Sequence, residues 1–278
     1  MSVGRYAWAL RRRVLGAERV VTRERVTALG RSTALGVRGR TRVWALLLRE
    51  LGLGPPRRAR IAAEDARVEL GDDGDFPIDW KAFVEIFADE IYAAPYRGAH
   101  VLDVGAHKGY FGAYALAGGA SVVLSFEPEV KNYSVLERTS GRLGSRWLTR
   151  NAALGSTSGT GTLLLDRTSW AHSLRLVERP AGEQRVEIVT LEQALSELPR
   201  GGSRTIVKIN AEGSECDILA RPDALERVDL LMVEWHPKTA PCTAAELTRT
   251  VESGGLEVVP HAGSLMRFAR SRAHALAR

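Results

Sequence analysis

Cysteine is almost absent from this chain: two residues in 278, Cys216 and Cys242. Two thiols cannot build a disulfide framework or a four-thiolate zinc site. A reducing compartment, and so a cytoplasmic protein, is the expectation. Cys216 reads as a small packing residue and Cys242, after Pro241, as a loop thiol. No apolar run approaches the ~18 residues of a membrane-spanning helix. At the amino terminus Arg11-Arg12-Arg13 follows the apolar stretch instead of preceding it, so no cleaved secretory signal is read. No Gly-Lys-Ser/Thr follows a glycine loop at Walker spacing. No internal repeat shows at a solenoid period. No Asn/Asp-Pro-Pro-aromatic sequence of amino-methylating nucleic-acid enzymes occurs, so a nucleic-acid partner is not expected.

Apolar residues make up 45% and charged residues 26%, an ordinary globular composition that excludes wholesale disorder. The net charge of +6 conceals a split. Residues 1–60 hold 15 Arg and 3 Glu, whereas the remainder is net acidic by 6. Apolar residues recur at roughly helical spacing over 5–52, with Arg between them. Gly52-Leu-Gly-Pro-Pro reads as a linker. Residues 64–79 are acidic and turn-rich. A basic helical extension over 1–75 and a main domain over 76–278 are therefore expected. The extension suits an anionic membrane surface, or a lid or homodimer arm on the acidic body. Gly30, Gly36 and Gly39 favour the arm or lid, because they break a long helix.

Beyond a helix predicted over 81–92, short apolar runs alternate with helical segments. Strands are expected at 101–104, 121–126, 146–149, 205–209, 229–234, 256–259 and 265–268. Helices are expected at 109–117, 129–140, 214–220 and 243–253. Residues 161–165 and 185–189 suggest an inserted β-hairpin. This alternation argues for an α/β fold, a doubly wound and mostly parallel seven-stranded sheet with helices on both faces. Such sheets bind ligands at the carboxyl ends of their strands, near the topological switch point.

The sharpest motif is Asp103-Val-Gly105-Ala-His107-Lys-Gly109-Tyr110, a buried strand running into a glycine turn and a helix start. A dinucleotide fingerprint needs glycine where His107 and Tyr110 stand. The pattern that fits is Asp-x-Gly-x-x-x-Gly, which suits a cofactor with an amino-acid tail and no phosphate, S-adenosylmethionine. Glu127 follows a second strand, 24 residues after Asp103. A carboxylate there can accept both ribose hydroxyls.

These residues resemble the FkbM family of S-adenosylmethionine-dependent methyltransferases. The resemblance spans roughly 80–268. Its segments are Asp103–Phe111, Ser125-Phe-Glu-Pro128, Asn151-Ala-Ala-Leu-Gly, Val189-Thr-Leu-Glu, Val207-Lys208-Ile-Asn210-Ala-Glu212-Gly213-Ser-Glu215 and Val233-Glu234-Trp-His236. Asn210 stands where the family carries Asp, which keeps hydrogen bonding and loses the charge. The resemblance implies a class I methyltransferase fold (Rossmann-like). It also implies O-methylation of a small molecule, sugar, glycolipid or polyketide-type product of secondary metabolism. It places Asp103, Gly105, Ala106, His107, Gly109 and Tyr110 around the methionine end of the cofactor. Glu127, with Pro128, takes the ribose, and Asn151 and Ala152 take the adenine edge. Asn210 and Glu212 face the methyl group or acceptor, with Glu234 and His236 on the same rim. His236 and His107 are the leading candidates for the base, because histidine titrates near neutrality; His172 is a third. No metal is expected. The alternatives are a non-catalytic binding protein on the same fold and an RNA methyltransferase.

Overall fold

The structure is a computed structural model and describes residues 37–38, 59–63, 66–70, 76–87, 89–141, 143–200, 204–261 and 265–271. The chain divides into two compact units, Met1–Ile91 and Tyr92–Arg278.

In the first unit, β1 (Val37–Arg38) pairs antiparallel with β2 (Ala59–Ala63), which pairs antiparallel with β3 (Ala66–Leu70). The helical reading of the extension is corrected at these residues. Arg67-Val68-Glu69-Leu70 alternates polar and apolar residues, the period of a strand. The rest of that reading lies outside the described residues. Helix α1 (Phe76–Phe87) begins earlier than predicted, with Pro77 and Asp79 in its first turn, and stops at Phe87. It belongs to the first unit. Its Phe83 and Phe87 rings stack with centroids 4.8 Å apart.

The second unit is built on β4 (His100–Val104), β5 (Val122–Phe126), β6 (Trp147–Arg150), β10 (Thr205–Ile209), β11 (Leu230–Glu234), β12 (Glu257–Val258) and β13 (Leu265–Ala269). They form one seven-stranded sheet in the order β12-β13-β11-β10-β4-β5-β6. The five strands from β11 to β6 are parallel, and β13 and β12 close one edge antiparallel. The centre reads as near-continuous apolar sequence because parallel strands are covered on both faces; every residue of β4 and β10 is buried. Helices α2 (Tyr110–Ala117), α3 (Val130–Ser140), α4 (Leu191–Ser196), α5 (Glu215–Ile218) and α6 (Ala244–Ser253) make the connections. All eight residues of α2 are buried. The predicted strands and helices of this unit are all present, with ends within about two residues apart from the shorter α5 and β12. Helix α4 was not foreseen, although Thr190 and Gln193 form a capping box at its start.

Between β6 and α4 lies the predicted insertion. Strands β8 (Gly159–Leu165) and β9 (Gly182–Val189) pair antiparallel, and the short β7 (Ala153–Leu154) joins β9 in parallel. Chain direction across the main sheet reverses between β4 and β10: β5 and β6 extend one way from β4, and β10 and β11 the other. That switch point sets the position of the site.

Candidate active site

The turn after β4 and the turn after β10 touch through their backbones. Asn210 N–H donates to the Val104 carbonyl at 3.1 Å. Gly105 takes φ +72°, and a Cβ there would lie 1.8 Å from the Asn210 carbonyl oxygen. Only glycine allows both the conformation and the approach. Its N–H and that of Ala106 are both spent on the Phe126 carbonyl, at 3.0 and 2.9 Å. His107 also adopts left-handed backbone, φ +52°, at a cost of about 1 kcal/mol. That conformation lets its N–H donate to Glu127 Oε2 at 2.8 Å.

Beneath the turn a polar chain crosses four adjacent strands. Trp147 Nε1 donates to Ser125 Oγ at 3.0 Å, and Ser125 Oγ donates to Asp103 Oδ2 at 3.3 Å. Lys208 Nζ donates to Asp103 Oδ1 at 3.0 Å, to the Val104 carbonyl at 3.2 Å and to the Gly105 carbonyl at 2.7 Å. The Asp103 side chain is 0% exposed and that of Lys208 is 5% exposed. Burial pushes the Asp103 carboxyl up, while Lys208 and Ser125 pull it back. Such a pair holds position more than it adds stability. Here it fixes the carbonyls of the glycine turn. Asp103 is thus occupied from within the sheet and shows no exposed edge to a ligand's ammonium group.

Glu127 is the central carboxylate of the rim. Its Oε2 accepts from His107 N–H, and its Oε1 accepts from Glu129 N–H at 2.9 Å. Each oxygen keeps a lone pair for one further donor. Burial pushes its pKa up to about 8, against the opposing pull of those two amides. Asn151 Nδ2 donates to the Glu127 carbonyl at 2.8 Å and to the Pro128 carbonyl at 3.0 Å. It therefore braces the turn that carries Glu127. Ala152 and Tyr110 are buried in the packed interior.

Across the switch point, Glu234 Oε2 accepts from Asn210 Nδ2 at 2.7 Å and from Tyr92 OH at 3.0 Å. Burial, then the Glu234 charge, hold the Tyr92 phenol protonated, well above its ordinary pKa. His236 sits between two carboxylates. Its Nδ1 lies 2.9 Å from Glu215 Oε1 and its Nε2 3.4 Å from Glu212 Oε1. Burial lowers its pKa, but bonds and charge from Glu212 and Glu215 outweigh this and raise it to about 10. A ring protonated by that shift has no lone pair with which to serve as the base. His172 does not replace it. Its Nδ1 already accepts from Asp166 N–H at 2.9 Å. Among the described residues no group of three or more His, Cys, Asp and Glu is placed to hold a metal ion.

Cys216 and Cys242 form a disulfide. The separate readings of the two thiols are corrected, and the bond removes the ground for expecting a reducing compartment. The cysteines lie 26 residues apart, but β10 and β11 are parallel neighbours, so their carboxyl-end loops adjoin. The bond staples the Glu212–Glu215 turn to the loop that begins at His236. Among the described residues no helix is long and apolar enough to cross a membrane.

The insertion straps the two halves of the rim. Ser169 Oγ lies 3.0 Å from His107 Nε2, and the Ser169 carbonyl accepts from Asn132 Nδ2 at 2.7 Å. Further on, Ser173 Oγ donates to the Glu212 carbonyl at 2.7 Å. The structure therefore gathers Gly105, His107, Glu127, Asn210, Glu212, Glu234 and His236 on one edge. Sequence reasoning gave no role to Lys208, Glu215 or Tyr92. Lys208 and Glu215 lie inside the Lys-Ile-x-x-Glu-Gly-x-Glu segment, which was the available signal.

An open α/β sheet places a glycine turn and the buried carboxylate of Glu127 beside its switch point, where sheets of this kind bind ligands. The sequence profile of the methyltransferase FkbM domain matches residues 103–253, more than half of the chain. The chain belongs to the FkbM methyltransferase family. Among solved structures it is similar to an FkbM methyltransferase from Methylobacillus flagellatus. That match has 15% identity and a TM-score of 0.42, over 72% of this chain and 56% of that one. A magnesium protoporphyrin IX methyltransferase from Synechocystis, with bound SAH, matches at 11% identity and a TM-score of 0.39, over 69% and 80%. A ribosomal protein L11 methylase from Lactobacillus delbrueckii matches at 12% identity and a TM-score of 0.35, over 62% and 69%. At these scores the likenesses identify no substrate. No curated protein matches the chain.

Proposed function

We propose that this chain is an S-adenosylmethionine-dependent O-methyltransferase acting on a hydroxyl of a small molecule, sugar, glycolipid or polyketide-type product. The observation that carries this reading is Glu127. Two backbone amides aim its carboxylate, and each oxygen retains one acceptor position. This is the arrangement two vicinal ribose hydroxyls require, and His107 stands where a pyrophosphate-binding turn would need glycine.

When bound, S-adenosylmethionine supplies an already activated methyl group. The chain's own work is alignment and proton removal. Lys208 fixes the glycine turn, and Asn210 anchors that turn through its backbone. Glu234 is the proton acceptor. Tyr92 and Asn210 both donate to its Oε2, leaving Oε1 to receive the acceptor's proton. The Asn at 210 fits this role. An Asp there would set a second carboxylate within 2.7 Å of Glu234, and like charges at that range cannot both ionise readily. Asn210 instead donates a hydrogen bond to that carboxylate.

The test is S-adenosylhomocysteine release across a panel of hydroxylated acceptors, with its pH profile. Glu234→Gln removes turnover and leaves cofactor binding intact. Asn210→Asp moves the acidic limb of the profile to higher pH. Cofactor binding without turnover on any acceptor would make the chain a binding protein on a methyltransferase fold.

A further inference from the structure

Glu127 is held from two sides, and both sides lean on the insertion. On one side stands His107, whose left-handed backbone turns its N–H onto Glu127 Oε2 at 2.8 Å. Its ring reaches the other way, and Nε2 lies 3.0 Å from Ser169 Oγ. On the other side, Glu129 N–H donates to Glu127 Oε1 at 2.9 Å. Glu129 is the N-cap of α3, where its Oε2 accepts from Asn132 N–H at 2.7 Å. The buried Asn132 side chain donates from Nδ2 to the Ser169 carbonyl at 2.7 Å. Ser169 therefore touches both arms, with its hydroxyl on the His107 arm and its carbonyl on the Glu129 arm. It stands 62 residues from His107 and 37 from Asn132, so these contacts are not the accident of chain proximity. A second residue of the insertion grips the same turn. Gln184 Nε2 donates to the Pro128 carbonyl at 2.7 Å, and Gln184 Oε1 accepts from Val130 N–H at 3.1 Å.

We infer that Ser169 is a positioning residue for cofactor binding: through the His107 ring and the Asn132 side chain it fixes the two amides that aim Glu127 at the ribose hydroxyls. A left-handed residue other than glycine persists only where its surroundings hold it, and the Ser169 contact is such a hold on His107. Hydrogen bonds weaken steeply once misaligned. Freeing the His107 ring lets its N–H swing off Oε2, and the carboxylate then loses the orientation that suits two vicinal hydroxyls. The insertion becomes part of the cofactor site, reaching it from outside the sheet's own loops. The inference rests on the methyltransferase reading and adds the residue on which its ribose contact depends.

The experiment is a double-mutant cycle on the full chain, read by calorimetric titration with S-adenosylhomocysteine and with its 2′-deoxy analogue. Ser169→Ala should weaken S-adenosylhomocysteine binding about three- to tenfold, the worth of one hydrogen bond. Ser169→Thr, which keeps the hydroxyl, should recover most of that loss. In a Glu127→Gln background the same change should cost less than about twofold, because the group it acts through is already gone. The loss should also shrink for the 2′-deoxy analogue, which offers Glu127 one hydroxyl fewer. In the ligand-free chain, amide hydrogen exchange at His107 should speed up in Ser169→Ala, while that at Glu129, held by the carbonyl arm, should not. Unchanged affinity in Ser169→Ala would overturn the inference. So would a loss of equal size in the Glu127→Gln background or for the 2′-deoxy analogue, the mark of a merely structural role. If Glu127→Gln binds too weakly to titrate, the analogue decides. If the native chain binds no S-adenosylhomocysteine, the methyltransferase reading itself fails, and the exchange measurement alone scores the hold of Ser169 on His107.

Discussion

Replacing Lys208 with Met tests the part of the site on which the glycine turn depends. The ammonium group is buried and bonds Asp103 and the carbonyls of Val104 and Gly105. Met keeps the length of the side chain and removes the charge. Asp103, 0% exposed, is then left with Ser125 as its side-chain donor. Removing one partner of a buried pair costs about 3–5 kcal/mol, mostly from the uncompensated charge. That is a large share of the roughly 5–15 kcal/mol that holds a domain folded. The pH dependence has a definite sign. Burial already raises the Asp103 carboxyl above its ordinary 3.8, and losing Lys208 raises it further. The folded variant then binds a proton that the unfolded chain releases above that ordinary value, so its stability falls as pH rises. The loss is smaller near pH 5 than near pH 8.5. Urea denaturation at both pH values, followed by tryptophan fluorescence, measures it. Adding Asp103→Asn removes the orphaned charge and restores more than half of the loss. A cost below about 1 kcal/mol, or a loss equal at both pH values and unrelieved by Asp103→Asn, would refute the reasoning.

Gly105→Ala places a Cβ 1.8 Å from the Asn210 carbonyl in a left-handed conformation. It should destabilise the chain by about 2–4 kcal/mol and weaken cofactor binding beyond that; an unchanged melting temperature would contradict it. Cys216→Ser/Cys242→Ser, or reduction by a dithiol, opens a loop spanning 26 residues. The loop-entropy relation puts the loss at about 3.5 kcal/mol, and an unaltered denaturation midpoint would show that the bond constrains nothing. His236 is held near pKa 10 against an ordinary 6.5. Its contribution to stability is whole below pH 6.5 and is lost as pH climbs through 10. His236→Gln should flatten that slope, measured by thermal melts across the range.

The centre of the fold was legible because parallel strands covered on both faces become apolar runs, as in Thr205–Ile209 and Leu230–Glu234. Helix α4 escaped because its few residues carry little periodicity, although its capping box is written at Thr190 and Gln193. In the site, legibility followed sequence distance. Gly105 and Glu127 sit in local motifs whose geometry is set within a few residues. Lys208 acts on Asp103 from 105 residues away, and only the strand order brings them together. The protonation of His236 depends on a turn from another strand, so its own neighbours could not reveal it. The Cys216–Cys242 bond has the same origin, two loops made adjacent by β10 and β11. In both cases the missing information was which loops become neighbours.

Calorimetric titration of the purified full chain with S-adenosylmethionine, beside Glu127→Ala, tests the central claim most directly. The account predicts one site per chain, at least tenfold weaker in the variant. Because the ribose hydroxyls favour the ionised carboxylate and burial holds Glu127 near pKa 8, affinity should rise as pH passes through that value and flatten in the variant. No heat at millimolar cofactor, or equal affinity in Glu127→Ala, would contradict the account.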